Sequence, residues 1–98
     1  MKLRYHQQAR FELADAVTWY AADSIRNAER FKAEFEWLVE AILKTPERFG
    51  PAATGTRKAK FKKYPYSVVF KQYPDGITIF AVAHDKRRPG YWADRVSQ

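Results

Sequence analysis

The sequence predicts an α+β domain in which a helical hairpin packs on a small twisted antiparallel sheet. Apolar residues recur every three or four positions between about residues 8 and 44, which is the period of helices. They alternate with polar residues between about 57 and 83, which is the period of strands. Because 98 residues without an internal repeat or linker suit one domain, we predict a single domain over residues 1–98 in the order β-α-α-β-β-β.

The first part of the chain predicts a short strand and two helices. Residues 2–6 alternate as a strand does, and helices follow over about Gln8 to Ala22 and Ile25 to Lys44. Asp23 or Ser24 caps the second helix, and this short link makes the pair an antiparallel hairpin. Pro46 ends the second helix. The apolar stripe of that helix indicates lengthwise packing on a neighbour and consists of Ala28, Phe31, Phe35, Leu38 and Ile42.

The second part predicts a loop over residues 47–56, three strands and a docked tail. In the strand from Arg57 to Lys62, Ala59 and Phe61 lie on the buried face. The opposite face then displays a row of three lysines, which are Lys58, Lys60 and Lys62. Tyr66 to Tyr73 is apolar on both faces, as a central strand is, and residues 74–76 form a hairpin turn. In the strand from Ile77 to Ala83, the alternation predicts two faces. One face carries Ile77, Ile79 and Ala81, and the other carries Thr78, Phe80 and Val82. Tyr91 to Val96 forms a short C-terminal helical turn that lays Trp92 and Val96 on the sheet.

The positive charge is confined to the second part of the chain. Residues 1–56 carry eight Lys and Arg against eight Asp and Glu, whereas residues 57–98 carry ten against three, which accounts for the whole net charge of +7. Clustered cations attract phosphate backbones or acidic proteins. The alternative is a surface that serves solubility only.

Several classes of protein find no support in the sequence. The absence of cysteine excludes disulfides and thiolate chemistry, and no apolar run approaches the roughly 20 residues of a membrane span. The amino terminus lacks a hydrophobic signal core, so the expected location is the cytoplasm. Two histidines among scattered acids give no metal-ligand spacing, and there is no phosphate loop, serine elbow or useful carboxylate pair. We therefore expect no metal site and no cofactor.

Three segments give the chain a resemblance to the RelE/ParE superfamily of bacterial type II toxin–antitoxin toxins. The central strand is entered by KYPYSVVF at residues 63–70, and the last strand, IFAVAH at 79–84, is followed by KRRPGYW at 86–92. Together with the order β-α-α-β-β-β, the resemblance covers essentially the whole chain. It implies a toxin, of the kind linked to plasmid stabilization, that is neutralised by a cognate antitoxin in a hetero-oligomer.

The superfamily has two activities. RelE-like members cleave mRNA on the ribosome, using Lys and Arg to hold phosphates and a Tyr or Lys near the attacking 2′-hydroxyl, whereas ParE-like members poison DNA gyrase without known catalysis. Tyr64, Pro65 and Tyr66 at the strand entry and His84 at the exit resemble the ParE-like branch. We therefore expect a gyrase inhibitor rather than an enzyme, with ribosome-dependent endoribonuclease as the alternative. A non-toxic basic nucleic-acid-binding module is a second alternative.

Candidate site residues follow from these hypotheses. The ParE-like interpretation assigns no catalytic residue, and His84 then bonds to neighbouring backbone or to Asp85. Alternatively, the lysine row prevents the edge strand from pairing with another sheet. An Arg stacked on Trp92 would hold the tail on the sheet. An exposed Trp19 or Trp37 would anchor a partner. The RelE-like catalytic candidates are Lys60, His84, Arg87, Arg88 and Tyr91; the candidates for target or phosphate binding on either branch are Lys58, Lys60, Lys62, Arg87, Arg88 and Trp92.

Overall fold

The structure, a computed structural model that describes residues 1–97, has the predicted element order with three short additions. Short 3-10 turns at Pro46–Arg48 and Ala53–Gly55 flank a two-residue strand inside the segment that was predicted as a loop. No helix within residues 1–97 is long and apolar enough to cross a membrane. The elements are β1 (Lys2–Tyr5), α1 (Gln7–Asp23), α2 (Ile25–Lys44), β2 (Gly50–Pro51), β3 (Arg57–Lys60), β4 (Tyr66–Tyr73), β5 (Gly76–His84) and α3 (Ala93–Val96).

Ser24 joins the two long helices and caps both of them. Its backbone N–H donates to the carbonyl of Tyr20 at the end of α1, and its side-chain oxygen accepts from the backbone N–H of Asn27 in α2, at 2.9 Å each. A single residue therefore satisfies groups at two helix ends, which keeps the hairpin link short. The predicted cap and the predicted apolar stripe of α2 are both confirmed.

The sheet has the strand order β1-β5-β4-β3-β2 and is antiparallel in all pairings but one. β1 runs parallel to β5, with Leu3 opposite Ile77 and Tyr5 opposite Ile79. The helical hairpin carries the chain to the far edge of the sheet, so β1 is left to pair with the last strand rather than the next one. At the far edge, Gly50 and Pro51 of β2 pair with the first half of β3.

A β-bulge at Phe80 reverses the faces of β5. Val69 lies opposite Ala81 and Phe70 lies opposite Ile79, so Phe80 is an extra residue without a partner in β4. The predicted alternation of Ile77, Ile79 and Ala81 against Thr78, Phe80 and Val82 is therefore wrong beyond the bulge. Ile77, Ile79 and Val82 face the helices, whereas Ala81 and Ala83 face the other side.

Each face of the sheet carries its own core. The larger core lies under the helices and includes the stacked rings of Phe31 and Phe61, whose centroids are 4.8 Å apart. On the opposite face, Val69 and the alanines of β5 are covered by Trp92 and Val96 from the tail. This confirms the predicted docking of the tail, and it makes the sheet the middle layer of the molecule.

We expect Gly76→Ala to destabilise the protein by about 1–3 kcal/mol, because forced overpacking against backbone cannot relax freely. A Cβ at Gly76 would overlap the backbone of Lys2 and push β1 off β5. Urea denaturation measures this loss, and amide hydrogen exchange in β1 should rise. Gly50→Ala is the control, since no atom lies within 4 Å of a Cβ there. Equal stability of the two variants would contradict the argument.

Candidate functional site

Five of the six predicted binding residues lie around one cavity. It has a volume of about 390 Å³ and opens between β3, the end of β5 and the segment 85–92, on the sheet face that the tail covers. The arrangement follows from strand alternation, because Lys58 and Lys60 point away from the buried Ala59. The residues brought together are Lys58, Lys60, Arg87, Arg88 and Trp92.

Lys62 is the exception, because β3 ends at Lys60 rather than continuing as predicted. The backbone N–H groups of Lys62 and Lys63 both donate to the carboxylate of Glu34 in α2. This draws the chain off the sheet and places the Lys62 ammonium 5.6 Å from the ring centroid of Trp37. The predicted row of three lysines is therefore a pair, and the third cation belongs to a different surface.

The cations of the cavity differ in how they are engaged. The Lys60 ammonium is 2.7 Å from the Asp85 carboxylate, so this pair is largely neutral. The Lys58 ammonium lies 5.7 Å from the ring centroid of Trp92. The Arg88 guanidinium is exposed and makes no hydrogen bond, ion pair or aromatic contact with any of residues 1–97. Lys58, Arg87 and Arg88 therefore keep a charge that no acidic side chain of residues 1–97 neutralises, and Arg88 is the one of the three without an aromatic contact.

The tail is held by an ion pair that the sequence analysis did not single out. Arg95 donates two hydrogen bonds to the Glu12 carboxylate of α1, at 2.8 and 2.9 Å, and both side chains are about six-sevenths buried. β1 pairs with β5 only as far as Ile79, so the Phe80 carbonyl and the Val82 N–H remain beyond its end. Arg95 donates to that carbonyl and Glu12 accepts from that N–H. The pair therefore completes the backbone bonding of β5.

Tyr91 is held in the same network. Its hydroxyl donates to Glu12 at 2.7 Å, and the Arg87 guanidinium carbon lies 4.0 Å from its ring centroid. Burial, and then the bond to the Glu12 carboxylate, raise the pKa of Tyr91 far above the ordinary tyrosine value. The sequence predicts an arginine stacked on Trp92, but Arg87 stacks on Tyr91 instead.

His84 is held at the end of β5 by its neighbours. Its Nδ1 accepts a hydrogen bond from the backbone N–H of Lys86 at 3.0 Å, and its ring packs edge-on against Tyr66 at 4.9 Å between centroids. This is the structural role that was predicted as the alternative to catalysis. The carboxylate of Asp85 pairs with Lys60 rather than with His84.

Two buried polar groups beside the cavity have no hydrogen-bond partner among residues 1–97. They are the Ser67 hydroxyl and the Trp92 indole N–H, on residues that are 1% and 3% exposed. An unpaired buried group of this kind costs about 1–3 kcal/mol. Ser67 was missed in the sequence because an isolated serine in a strand carries no signal. No group of three or more His, Asp or Glu within residues 1–97 is arranged to hold a metal ion.

A second cavity, of about 460 Å³, opens on the helix side. It is lined by aromatic residues of α1, β4 and the tail, including Trp19, Tyr66 and Tyr91. Trp19 is 73% exposed and Trp37 is 52% exposed, so both tryptophans that were singled out from the sequence are accessible. Their role as partner anchors stays a prediction.

The fold has a solved counterpart. A chain described as the chromosomal ParDE TA system from P. aeruginosa aligns with a TM-score of 0.74, and the alignment covers 86% of this chain and 95% of that chain. At 16% identity this likeness shows the fold alone. No curated protein matches the chain.

The family is shown by a match along the sequence itself. The family model for the ParE toxin of the type II toxin-antitoxin system, parDE, matches residues 3–89. Because that match spans most of the chain, the chain belongs to the ParE toxin family, and the predicted RelE/ParE resemblance and its ParE-like branch are confirmed. The matched range ends before Tyr91, Trp92 and Arg95, which hold the tail on the sheet.

We expect Glu12→Gln to lower the free energy of unfolding by about 3–5 kcal/mol, because it leaves the Arg95 guanidinium buried without a countercharge. Chemical denaturation measures the loss. The double variant Glu12→Gln, Arg95→Met should recover part of it, since it removes the orphaned charge. Asp75→Asn is the matched control, because its ion pair with Arg4 is exposed and should matter little. A small effect of Glu12→Gln would contradict this role.

We expect stability to fall as the pH rises above about 10, the ordinary tyrosine pKa. The folded state keeps the Tyr91 proton, because its pKa is raised, whereas the unfolded state releases that proton first. The contribution is therefore complete below pH 10 and is lost above it. Denaturation at several alkaline pH values measures how the free energy of unfolding falls with pH. For Tyr91→Phe this slope should be shallower by the equivalent of about one proton. The remaining slope includes Tyr5, Tyr20 and Tyr66, whose pKa values burial also raises.

Proposed function

We propose that this chain is a type II toxin that arrests growth by binding DNA gyrase in the cytoplasm, and that a cognate antitoxin neutralises it in a hetero-oligomeric complex. Membership of the ParE toxin family is the first support for this proposal. The main structural support is a hydrogen bond that the hydroxyl of Tyr91, the candidate nuclease residue of the tail, donates to Glu12. A toxin that acts by contact does not need that hydroxyl for chemistry.

Three of the five candidate nuclease residues make hydrogen bonds or ion pairs within the protein. RNA cleavage through a cyclic phosphate needs a base for the 2′-hydroxyl, an acid for the leaving oxygen and cations for the transition state. The Tyr91 hydroxyl donates to Glu12, His84 Nδ1 accepts from Lys86, and Lys60 pairs with Asp85. These contacts favour a protein-binding surface over an active site.

The surface best suited to a protein target is the rim of the cavity on the tail side. Lys58 and Arg88 carry uncompensated charge, and the exposed Pro89 supplies apolar area beside them, above the buried Trp92. Arginine next to an aromatic residue is a frequent combination at interface hot spots. Gyrase binding through this rim requires no catalytic base.

One observation favours the alternative of a ribosome-dependent endoribonuclease. Lys58, Arg87, Arg88 and His84 line the same cavity, and cations beside an imidazole are what phosphoryl transfer requires. Translating extracts that are given the toxin test this alternative directly. New mRNA ends in the ribosomal A site would replace the gyrase proposal with this one.

We expect the purified chain to inhibit supercoiling by DNA gyrase and to trap cleaved DNA. Arg88→Ala should weaken inhibition about tenfold, because an interface arginine without internal bonds contributes mainly to the complex. Lys32→Ala is the matched control, since it removes an exposed cation from α2, away from the cavity, and should inhibit like the parent chain. Unaffected supercoiling at excess toxin would contradict the proposal.

Neutralisation has its own test. An acidic segment that folds on binding is the partner suited to a small basic domain with exposed aromatic residues. We expect inducible expression of the chain alone to arrest growth, and coexpression with the neighbouring reading frame to restore it. Arrest that persists in the presence of that frame would exclude it as the antitoxin.

A further inference from the structure

The two unpaired donors beside the cavity are close together in the fold. Ser67 lies opposite Lys60 on β3 and Ala83 on β5, and Trp92 packs on Ala83 from the tail. Ser67 and Trp92 both line the cavity, and neither polar group bonds to any of residues 1–97. Native proteins pair nearly all buried polar groups. Two unpaired donors at one cavity therefore indicate a ligand that accepts hydrogen bonds.

The charge of the cavity defines the ligand further. Lys58 and Arg88 are uncompensated, while Lys60 is paired with Asp85. The surroundings are therefore positive, and a hydrogen-bond acceptor that enters them gains from carrying negative charge. We propose that this cavity binds a carboxylate side chain from an acidic segment of a protein partner, with the Ser67 hydroxyl and the Trp92 indole N–H as donors to its two oxygens.

A carboxylate fits this site better than the phosphates of a nucleic acid strand. Binding a strand requires cations that follow the backbone along a groove. Here Lys62 has turned to Trp37 and Lys60 is neutralised by Asp85, so no row of free lysines follows β3. A carboxylate presents one charge and two acceptor oxygens, which matches two neutral donors with a cation beside them.

The residues around the donors suit the rest of an acidic side chain. Ala83, Pro89 and the Trp92 ring form an apolar wall for the aliphatic stem of Glu or Asp. Both donor atoms are covered in the structure, so a ligand reaches them only when side chains at the cavity shift. The Lys58 ammonium lies over the Trp92 ring on a long flexible side chain, so it can move aside and then pair with the bound carboxylate. The inference rests on the proposed function only in that the partner is a protein.

Nuclear magnetic resonance of the indole N–H groups tests this site in the full chain. Trp19, Trp37 and Trp92 give three indole signals, and each is assigned from its Trp→Phe variant. We expect a short Glu-rich peptide to shift the Trp92 signal in a saturable way and to leave the Trp19 signal in place. An oligonucleotide of equal charge, at the same ionic strength, should move the Trp92 signal much less.

Ser67→Ala separates this proposal from a structural role. The variant should bind the peptide about tenfold more weakly, because a hydrogen bond to a charged group is lost. Its thermal stability should not fall, because it removes an unpaired buried hydroxyl. Lys58→Met should also weaken binding, whereas Lys32→Met, which removes a charge elsewhere, should have little effect.

Three outcomes would overturn the inference. A Trp92 signal that the peptide does not move, or an unchanged peptide affinity in Ser67→Ala, would exclude the carboxylate site. A tighter response to the oligonucleotide would assign the cavity to nucleic acid instead. None of these measurements involves gyrase. If the peptide titration is positive and the supercoiling assay fails, the carboxylate site stands and only gyrase is excluded as the target.

Discussion

The arrangement of the molecule depends on the buried ion pair between Glu12 and Arg95. β1 ends before β5 does, which leaves backbone groups of β5 beyond its reach. Glu12 from α1 and Arg95 from α3 bond to those groups and to each other. The pair thus joins the helical hairpin, the longest strand and the tail at one point, across 83 positions of sequence. Buried pairs are stabilising only when their remaining hydrogen bonds are satisfied, as they are here.

The candidate site is a consequence of this attachment. With α3 anchored, Trp92 covers the alanines of β5, and the segment before it has to cross the end of the sheet. That crossing brings the arginines of the segment next to the lysines of β3. The family match ends at residue 89, so the tail residues that position this surface lie outside the matched range.

The sequence predicts those parts of the structure whose signal is local. The spacing from Ala28 to Ile42 is sufficient to identify α2, and a serine between two helices is sufficient to place the cap. The bulge at Phe80 leaves the apolar composition of β5 unchanged, so it is invisible until the register is known. The pairing of Glu12 with Arg95, and the turn of Lys62 towards α2, join residues distant in sequence. Such contacts are set by the tertiary fold, and no local pattern encodes them.

The two margins of the sheet show how the protein avoids uncontrolled assembly. β2 consists of two residues, and Pro51 lacks the N–H that another chain would need to extend the ladder. On the opposite margin, β1 has four residues and carries Lys2, whose charge discourages a second copy from docking in register. Both margins therefore disfavour extension of the sheet by a further copy of the chain. The folded domain can in this way remain dispersed at concentrations where an open sheet edge would seed aggregation.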